Sequence, residues 1–274
     1  MTPSLVVLTD FYADTNRALS YAAGLAVPLK AHLLLLHARH DDLLAPNAYG
    51  SSYETWSGER KTAYALQALA AEQPVVTEVD ISDEALPAAV REAVQHRHPL
   101  LLVLSRPDPV EASTDLVTRT AMHLLRHAPY PLLLVPGAGW DTFPPRRLLL
   151  LADGQPFALR PHQDVLRQLL GATNGTLDVV QVLDNGAATP AAETVLAPVR
   201  ANDLVDALAE SALHQVYHAS VVGGVLEEAA RQNTDMLVVV ARPHGLVGRL
   251  FHDSVTARLL RESPIPVLVL PAEA

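Results

Sequence analysis

Two stretches of this chain are near copies of one another. Leu124–Pro136 reads LLRHAPYPLLLVP and Leu259–Pro271 reads LLRESPIPVLVLP, at a constant offset of 135 residues. Each reads as a helix end running into a buried strand. Arginine in the last helical turn complements the negative end of the helix dipole. The first proline stops the helix, and the second opens a strand at a place that needs no N–H. Agreement of this length marks a duplication. It restricts the chain to two copies of one domain, and 274 residues suit two domains better than one, since a domain takes roughly 100–200 residues.

The rest of the pattern supplies the fold class. Short apolar runs at Leu5–Leu8, Leu33–Leu36, Val75–Val79, Leu100–Leu104 and Leu132–Val135 are continuous rather than alternating. Strands buried on both faces read this way. Helical spacing fills the gaps at Asp14–Val27, Trp56–Ala71, Asp83–His96 and Asp115–His127, with Asp14 as N-cap of the first. The second half repeats the order. Its strands are expected at Leu148–Leu151, Leu177–Val182, Gln215–Ser220, Met236–Val240 and Val267–Leu270. Its helices are expected near Pro161–Leu170, Arg200–Leu213, Gly223–Gln232 and Leu250–Glu262. Alternating strands and helices imply parallel sheets with right-handed crossovers. The expected architecture is α/β: two tandem open parallel five-stranded sheets with helices on both faces, Rossmann-like. The domains are drawn at 1–138 and 145–274, with a Gly- and Pro-rich linker at about 136–145.

Composition narrows the function classes. The net charge is −10, and neither half is basic, which argues against nucleic-acid binding by attraction to phosphate. There is no cysteine, so thiolate catalysis and disulfides are excluded. The N-terminus lacks a signal-peptide pattern, and no apolar run approaches the roughly 20 residues of a membrane helix. A cytoplasmic protein is expected.

Ligands of open parallel sheets bind beyond the carboxyl ends of the strands, where strand order reverses. Two acids fall there, Asp10 and Asp153, each just after the first strand of its half. Either can accept hydrogen bonds from a ligand hydroxyl or amine, or cap local backbone. The loop after the fourth strand of the second half, ARPHGLVGRLFHDS, offers Arg242, His244, Gly245 and Arg249 to an anion, with Ser254 opening the next helix. The competing reading is a surface loop with a helix cap at Asp253 or Ser254. The matching loop of the first half, SRPDPVEASTD, has no glycine. His37, His40, Asp41 and Asp42 cluster after the second strand, but no second cluster at a metal-ligand spacing accompanies them, so no metal is expected. The segment His40–Gly58, with Tyr49, Tyr53 and Trp56, is either a surface loop or a lid or partner-contact loop; Asp184–Pro198 is expected to be flexible. No nucleophile elbow, zinc-protease motif or Walker loop is present.

The opening VVLTDFYADTNRALSYAAGLAVPLKAHLLLLHA and the two matched endings together resemble the universal stress protein family. The resemblance covers nearly the whole chain as two copies. ATP-binding members carry a Gly-x2-Gly-x9-Gly-Ser/Thr loop after the fourth strand. The matching positions read Ser105, Asp108, Thr118 and Arg119 in the first half, and Ala241, His244, Asp253 and Ser254 in the second, where the gap holds eight residues rather than nine. The glycines are missing, and only Ser254 agrees. Asp10 and Asp153 match the family's acid near adenine and ribose, and Ala38 and Val182 match the place where backbone meets the base. The resemblance therefore implies the branch that does not bind ATP: a non-catalytic regulatory or interaction module in stress physiology. The alternatives are an ATP/AMP-binding switch with its site mainly in the second half, and a small-molecule hydrolase. It also implies that the two halves pair through their last strands, Leu132–Val135 and Val267–Leu270, and that two chains form a homodimer. The protein partner is unknown.

Overall fold

A computed structural model describes residues 2–9, 15–38, 55–106, 114–138, 142–242 and 254–273. The first half runs β1 (Ser4–Leu8), α1 (Thr15–Leu29), β2 (His32–Ala38), α2 (Thr55–Ala71), β3 (Thr77–Ser82), α3 (Leu86–Arg97), β4 (Leu101–Arg106), α4 (Thr114–His127) and β5 (Leu132–Pro136). The second runs β6 (Arg147–Leu151), α5 (Asp164–Thr173), β7 (Thr176–Leu183), α6 (Ala192–Arg200), β8 (Leu213–Tyr217), α7 (Val221–Arg231), β9 (Met236–Ala241), α8 (Val255–Glu262) and β10 (Val267–Pro271). The apolar runs are strands buried from end to end, as in β1, β5 and β10.

The two sheets join into one. Its ten strands lie in the order β3-β2-β1-β4-β5-β10-β9-β6-β7-β8. Within each half every pair is parallel. The join, β5 with β10, is antiparallel, with Val267 opposite Leu134, Leu268 opposite Leu133 and Val269 opposite Leu132. Leu133 and Leu268 are the same position of the repeat, so the pseudo-two-fold axis passes through that pair. This is the isologous geometry of a symmetric dimer, with both partners on one chain. The expected pairing of the halves through their last strands is what the ladder shows.

Alternate residues along each strand feed two cores, one per face. Leu5, Val7, Leu133, Val135, Leu268 and Leu270 face α1, α2, α5 and α6. Val6, Leu8, Leu132, Leu134, Val267 and Val269 face α3, α4, α7 and α8. Both cores run unbroken across the junction. The linker is held by its aromatic residue: the Phe143 ring meets Tyr21 edge-on at 5.2 Å. Phe143 lies over Gly24 of α1, where a Cβ would come within 2.5 Å of the ring. Buried Asp235 accepts the amides of Arg146 (2.9 Å) and Arg147 (2.8 Å), fixing the start of β6.

Several sequence expectations change: β3 runs Thr77–Ser82 rather than Val75–Val79, α5 runs Asp164–Thr173 rather than Pro161–Leu170, and three further differences have a visible cause. The helix expected near Arg200–Leu213 lies earlier, at Ala192–Arg200. It takes in the end of Asp184–Pro198, the stretch expected to be flexible. The spacing of Leu204 and Leu208 mimics a helix, and both are buried, but they are carried by turns. Asn202 makes the difference. Its amide donates to the carbonyls of Phe157 (3.0 Å) and Pro198 (2.9 Å), and its oxygen accepts from Leu159 N–H. Arg200 in turn donates to the Leu208 carbonyl at 3.1 and 2.9 Å. Asn202 and Arg200 bond the backbone that a continuing helix would bond itself. Secondly, β8 starts at Leu213 and stops at Tyr217 rather than spanning Gln215–Ser220, because Ser220 turns to cap α7 through Gly223 N–H. Thirdly, α3 starts at Leu86, not Asp83, with proline in its first turn. Asp14, expected as an N-cap, and the segment 40–54 lie outside the described residues.

Candidate functional site

Strand order reverses between β1 and β4 and between β6 and β9. The carboxyl ends of these pairs are where a doubly wound sheet holds its ligands. In the second half the strands end in a cavity of about 430 Å³. Its walls are apolar, from Leu151, Phe157, Val221, Val239 and Val255, and its described charged residues are Asp153 and Arg242.

These two residues face each other. Arg242 Nη1 donates to Asp153 Oδ2 at 2.5 Å, and Nη2 donates to Oδ1 at 2.8 Å and to the Gln155 carbonyl at 3.0 Å. Such a two-pronged contact is the strongest geometry open to an arginine and a carboxylate. Hydrogen bonding from Arg242 holds the Asp153 carboxyl below its ordinary value, and burial opposes this in part. The same bond pushes Arg242 up. Asp153 also accepts from Gln155 N–H at 3.0 Å, which closes a tight turn after β6. Arg242 Nε is buried and has no hydrogen-bond partner among the described residues.

The remaining candidates fall as follows. Ser254 lines the cavity, and its hydroxyl accepts from Ala257 N–H at 3.1 Å as the N-cap of α8. Val182 lies near the end of β7, and its methyl groups pack close over Gly224. Ala38 closes β2 as a buried residue. His37 is bonded through Nδ1 to the Thr9 carbonyl at 3.0 Å. Asp10, His244, Gly245 and Arg249 lie outside the described residues, as do His40, Asp41 and Asp42. Among the described residues no group of three metal-ligating side chains comes together.

One structural arginine carries no signal of its role in the sequence. Arg106 ends β4 and is buried. Its guanidinium crosses to the other half and donates to the last carbonyls of α8: Leu260 and Arg261 at 2.8 Å and Ser263 at 2.6 Å. A cation at a helix C-terminus satisfies orphan carbonyls and complements the dipole. The sequence aligns Arg106-Pro107 with Arg242-Pro243, but the ladders do not. Arg106 pairs with Pro136 and Ala241 pairs with Pro271, so Arg106 corresponds to Ala241. The two arginines stand one residue apart in register, and one step along a strand turns a side chain to the other face. Arg106 therefore meets α8, while Arg242 turns to Asp153.

A duplicated, doubly wound α/β chain with a switch-point crevice at the strand ends of its second half is the class that fold and site define. The model of the universal stress protein family matches residues 1–136 and 145–271, and the chain belongs to that family. Among solved structures, a universal stress protein from Archaeoglobus fulgidus DSM 4304 aligns over 99% of both chains with a TM-score of 0.69 at 17% identity. A functionally unknown protein, PA1789 from Pseudomonas aeruginosa PAO1, aligns over 99% of this chain and 93% of its own with a TM-score of 0.54, also at 17% identity. At that identity the likeness concerns the fold. A search of curated proteins found no match.

Proposed function

We propose that this tandem universal stress protein is a non-catalytic regulatory or interaction module of the stress response and not a strong ATP binder. The observation that carries the reading is the Asp153–Arg242 pair. The acid that the family resemblance assigns to a nucleoside and the described cation that the sequence offers to a phosphate bind each other, so neither is held free for a nucleotide. The described cavity walls support the non-catalytic part. The Ser254 hydroxyl at the cavity edge is engaged as the N-cap of α8. A covalent pseudo-dimer that assembles further into a dimer of chains, in the cytoplasm, completes the proposal. Calorimetric titration with ATP and AMP tests it. No saturable heat is expected up to millimolar ligand. Tight binding that is lost in Asp153→Asn and Arg242→Gln would overturn it.

A second reading, an ATP/AMP-binding switch, is favoured by one feature: the N-terminus of α8 opens on the same cavity, and helix N-termini attract anions. That outcome of the titration would support it. A hydrolase reading has no described base beside a nucleophile in the cavity.

A further inference from the structure

The matched endings differ at one aromatic position, where Tyr130 in the first half stands against Ile265 in the second. In the first half the Tyr130 hydroxyl donates to the Pro99 carbonyl, and its ring packs against the core on that face of the sheet and meets His162 edge-on at 5.0 Å. The ladder bonds confirm the offset. Leu102 N–H reaches the Pro131 carbonyl at 2.9 Å, and Leu237 N–H reaches the Pro266 carbonyl at 2.9 Å. At that offset Pro99 corresponds to Thr234, Arg91 to Leu226, Val94 to Ala229 and Gln95 to Ala230.

The second half has the smaller residue at four of these places, and a cavity of about 320 Å³ opens there. It lies at the amino ends of β6 and β9, at the opposite end of the strands from the Asp153 crevice. One wall is apolar, from Leu226, Ala229 and Ile265; the other is polar, from Arg147, Thr234 and Asp235. The Asp235 side chain is 3% exposed, with half-exposed Arg147 3.5 Å away. In the first half the Asp235 position is Leu100. The change to acid accompanies the opening of the space.

We propose that this cavity is a binding site for a small phenolic molecule, whose ring takes the place that Tyr130 fills in the first half. The ring rests on Leu226, Ala229 and Ile265. Its hydroxyl donates to the Thr234 carbonyl, as Tyr130 does to Pro99, and the Arg147 guanidinium covers the ring face. A volume of this size is at the lower end of small-molecule pockets, which fits one substituted ring rather than a nucleotide. The site is independent of the Asp153 crevice and of any nucleotide reading.

The test uses the full chain, with p-cresol as probe, toluene as the analogue without the hydroxyl, and AMP as competitor. Binding is followed by calorimetry and by amide NMR shifts. Saturable p-cresol binding is expected, with shifts centred on Ala229, Ala230 and Asp235 and no competition from AMP. Toluene should bind about tenfold more weakly, since it leaves the carbonyl without a donor. Ile265→Tyr, which rebuilds the first-half arrangement, and Ala230→Gln, which narrows the cavity from the α7 side, should each abolish binding. Ala230→Gln keeps the test decisive if Ile265→Tyr misfolds. The proposal falls if p-cresol does not saturate, if its shifts centre on Asp153, if toluene binds equally, or if a folded variant binds as the parent does.

Discussion

Removing Arg106 should loosen the two halves far more than removing Arg242. The Arg106 side chain is buried and donates three hydrogen bonds to carbonyls at the end of α8. A hydrogen bond to a charged group is worth about 1.5–3 kcal/mol, and the carbonyls left behind sit where a donor is hard to replace. The three are not independent, so Arg106→Ala is expected to cost about 3–5 kcal/mol. At roughly 2–4 °C per kcal/mol for a chain above 150 residues, that lowers Tm by about 10 °C. Arg242 is the internal control. It too makes a two-pronged contact, but Arg242 is 32% exposed and Asp153 is 55% exposed. Solvent screening holds such a pair to about 0–1 kcal/mol, or at most about 4 °C. Thermal and urea unfolding of both variants side by side would measure the difference. Arg106→Lys should recover only part of the loss, because one ammonium cannot fork across three carbonyls. Equal losses for the two alanine variants, to within about 0.5 kcal/mol, would refute a cross-half cap as the source of cohesion.

Three further outcomes follow from the same geometry. Gly24→Val should cost about 1–3 kcal/mol by overpacking against Phe143, and a denaturation cycle with Phe143→Ala should show most of that cost relieved, because the three atoms nearest the added Cβ all belong to the ring. The Asp153 carboxyl is held low by Arg242, so the pair's contribution is complete above the unfolded carboxyl value of about 3.9. It is lost as pH falls through the lower folded value; a carboxyl NMR titration should show the low midpoint and its return to normal in Arg242→Gln. Burial holds His162 below the ordinary imidazole value, with Glu273 opposing. The folded state then binds fewer protons than the unfolded chain, and stability should fall as pH drops below about 6.5. His162→Gln should flatten that part of a stability-against-pH curve.

The scaffold was legible because burial on both faces leaves a simple mark. Continuous runs such as Leu5–Leu8 and Leu33–Leu36 can hardly be anything but central strands, and their repetition fixed the order of elements. The α6 region was misread for the opposite reason. Leu204 and Leu208 have helical spacing, yet Asn202 and Arg200 take the backbone bonds a helix would need. Those bonds join Asn202 to Phe157, 45 residues away. No local pattern announces them. The candidate acid Asp153 was found from its place after the first strand. Its partner Arg242 was named for a different role, as a contact for an anion.

Beside the family resemblance, which implied that the final strands meet, the sequence alone determined the duplication, the α/β class and the apolar character of those strands. These depend on periodicity and on repeated text, which are properties of the chain itself. Only the tertiary structure decided that the halves share one ten-stranded sheet and what each arginine does. Arg106 and Arg242 sit in the same Arg-Pro dipeptide, but the ladder sets them one residue apart. A strand sends neighbouring side chains to opposite faces, so one arginine ties the two halves together and the other closes on Asp153. Register is fixed by which strands pair, and that is settled only when distant parts of the chain come together.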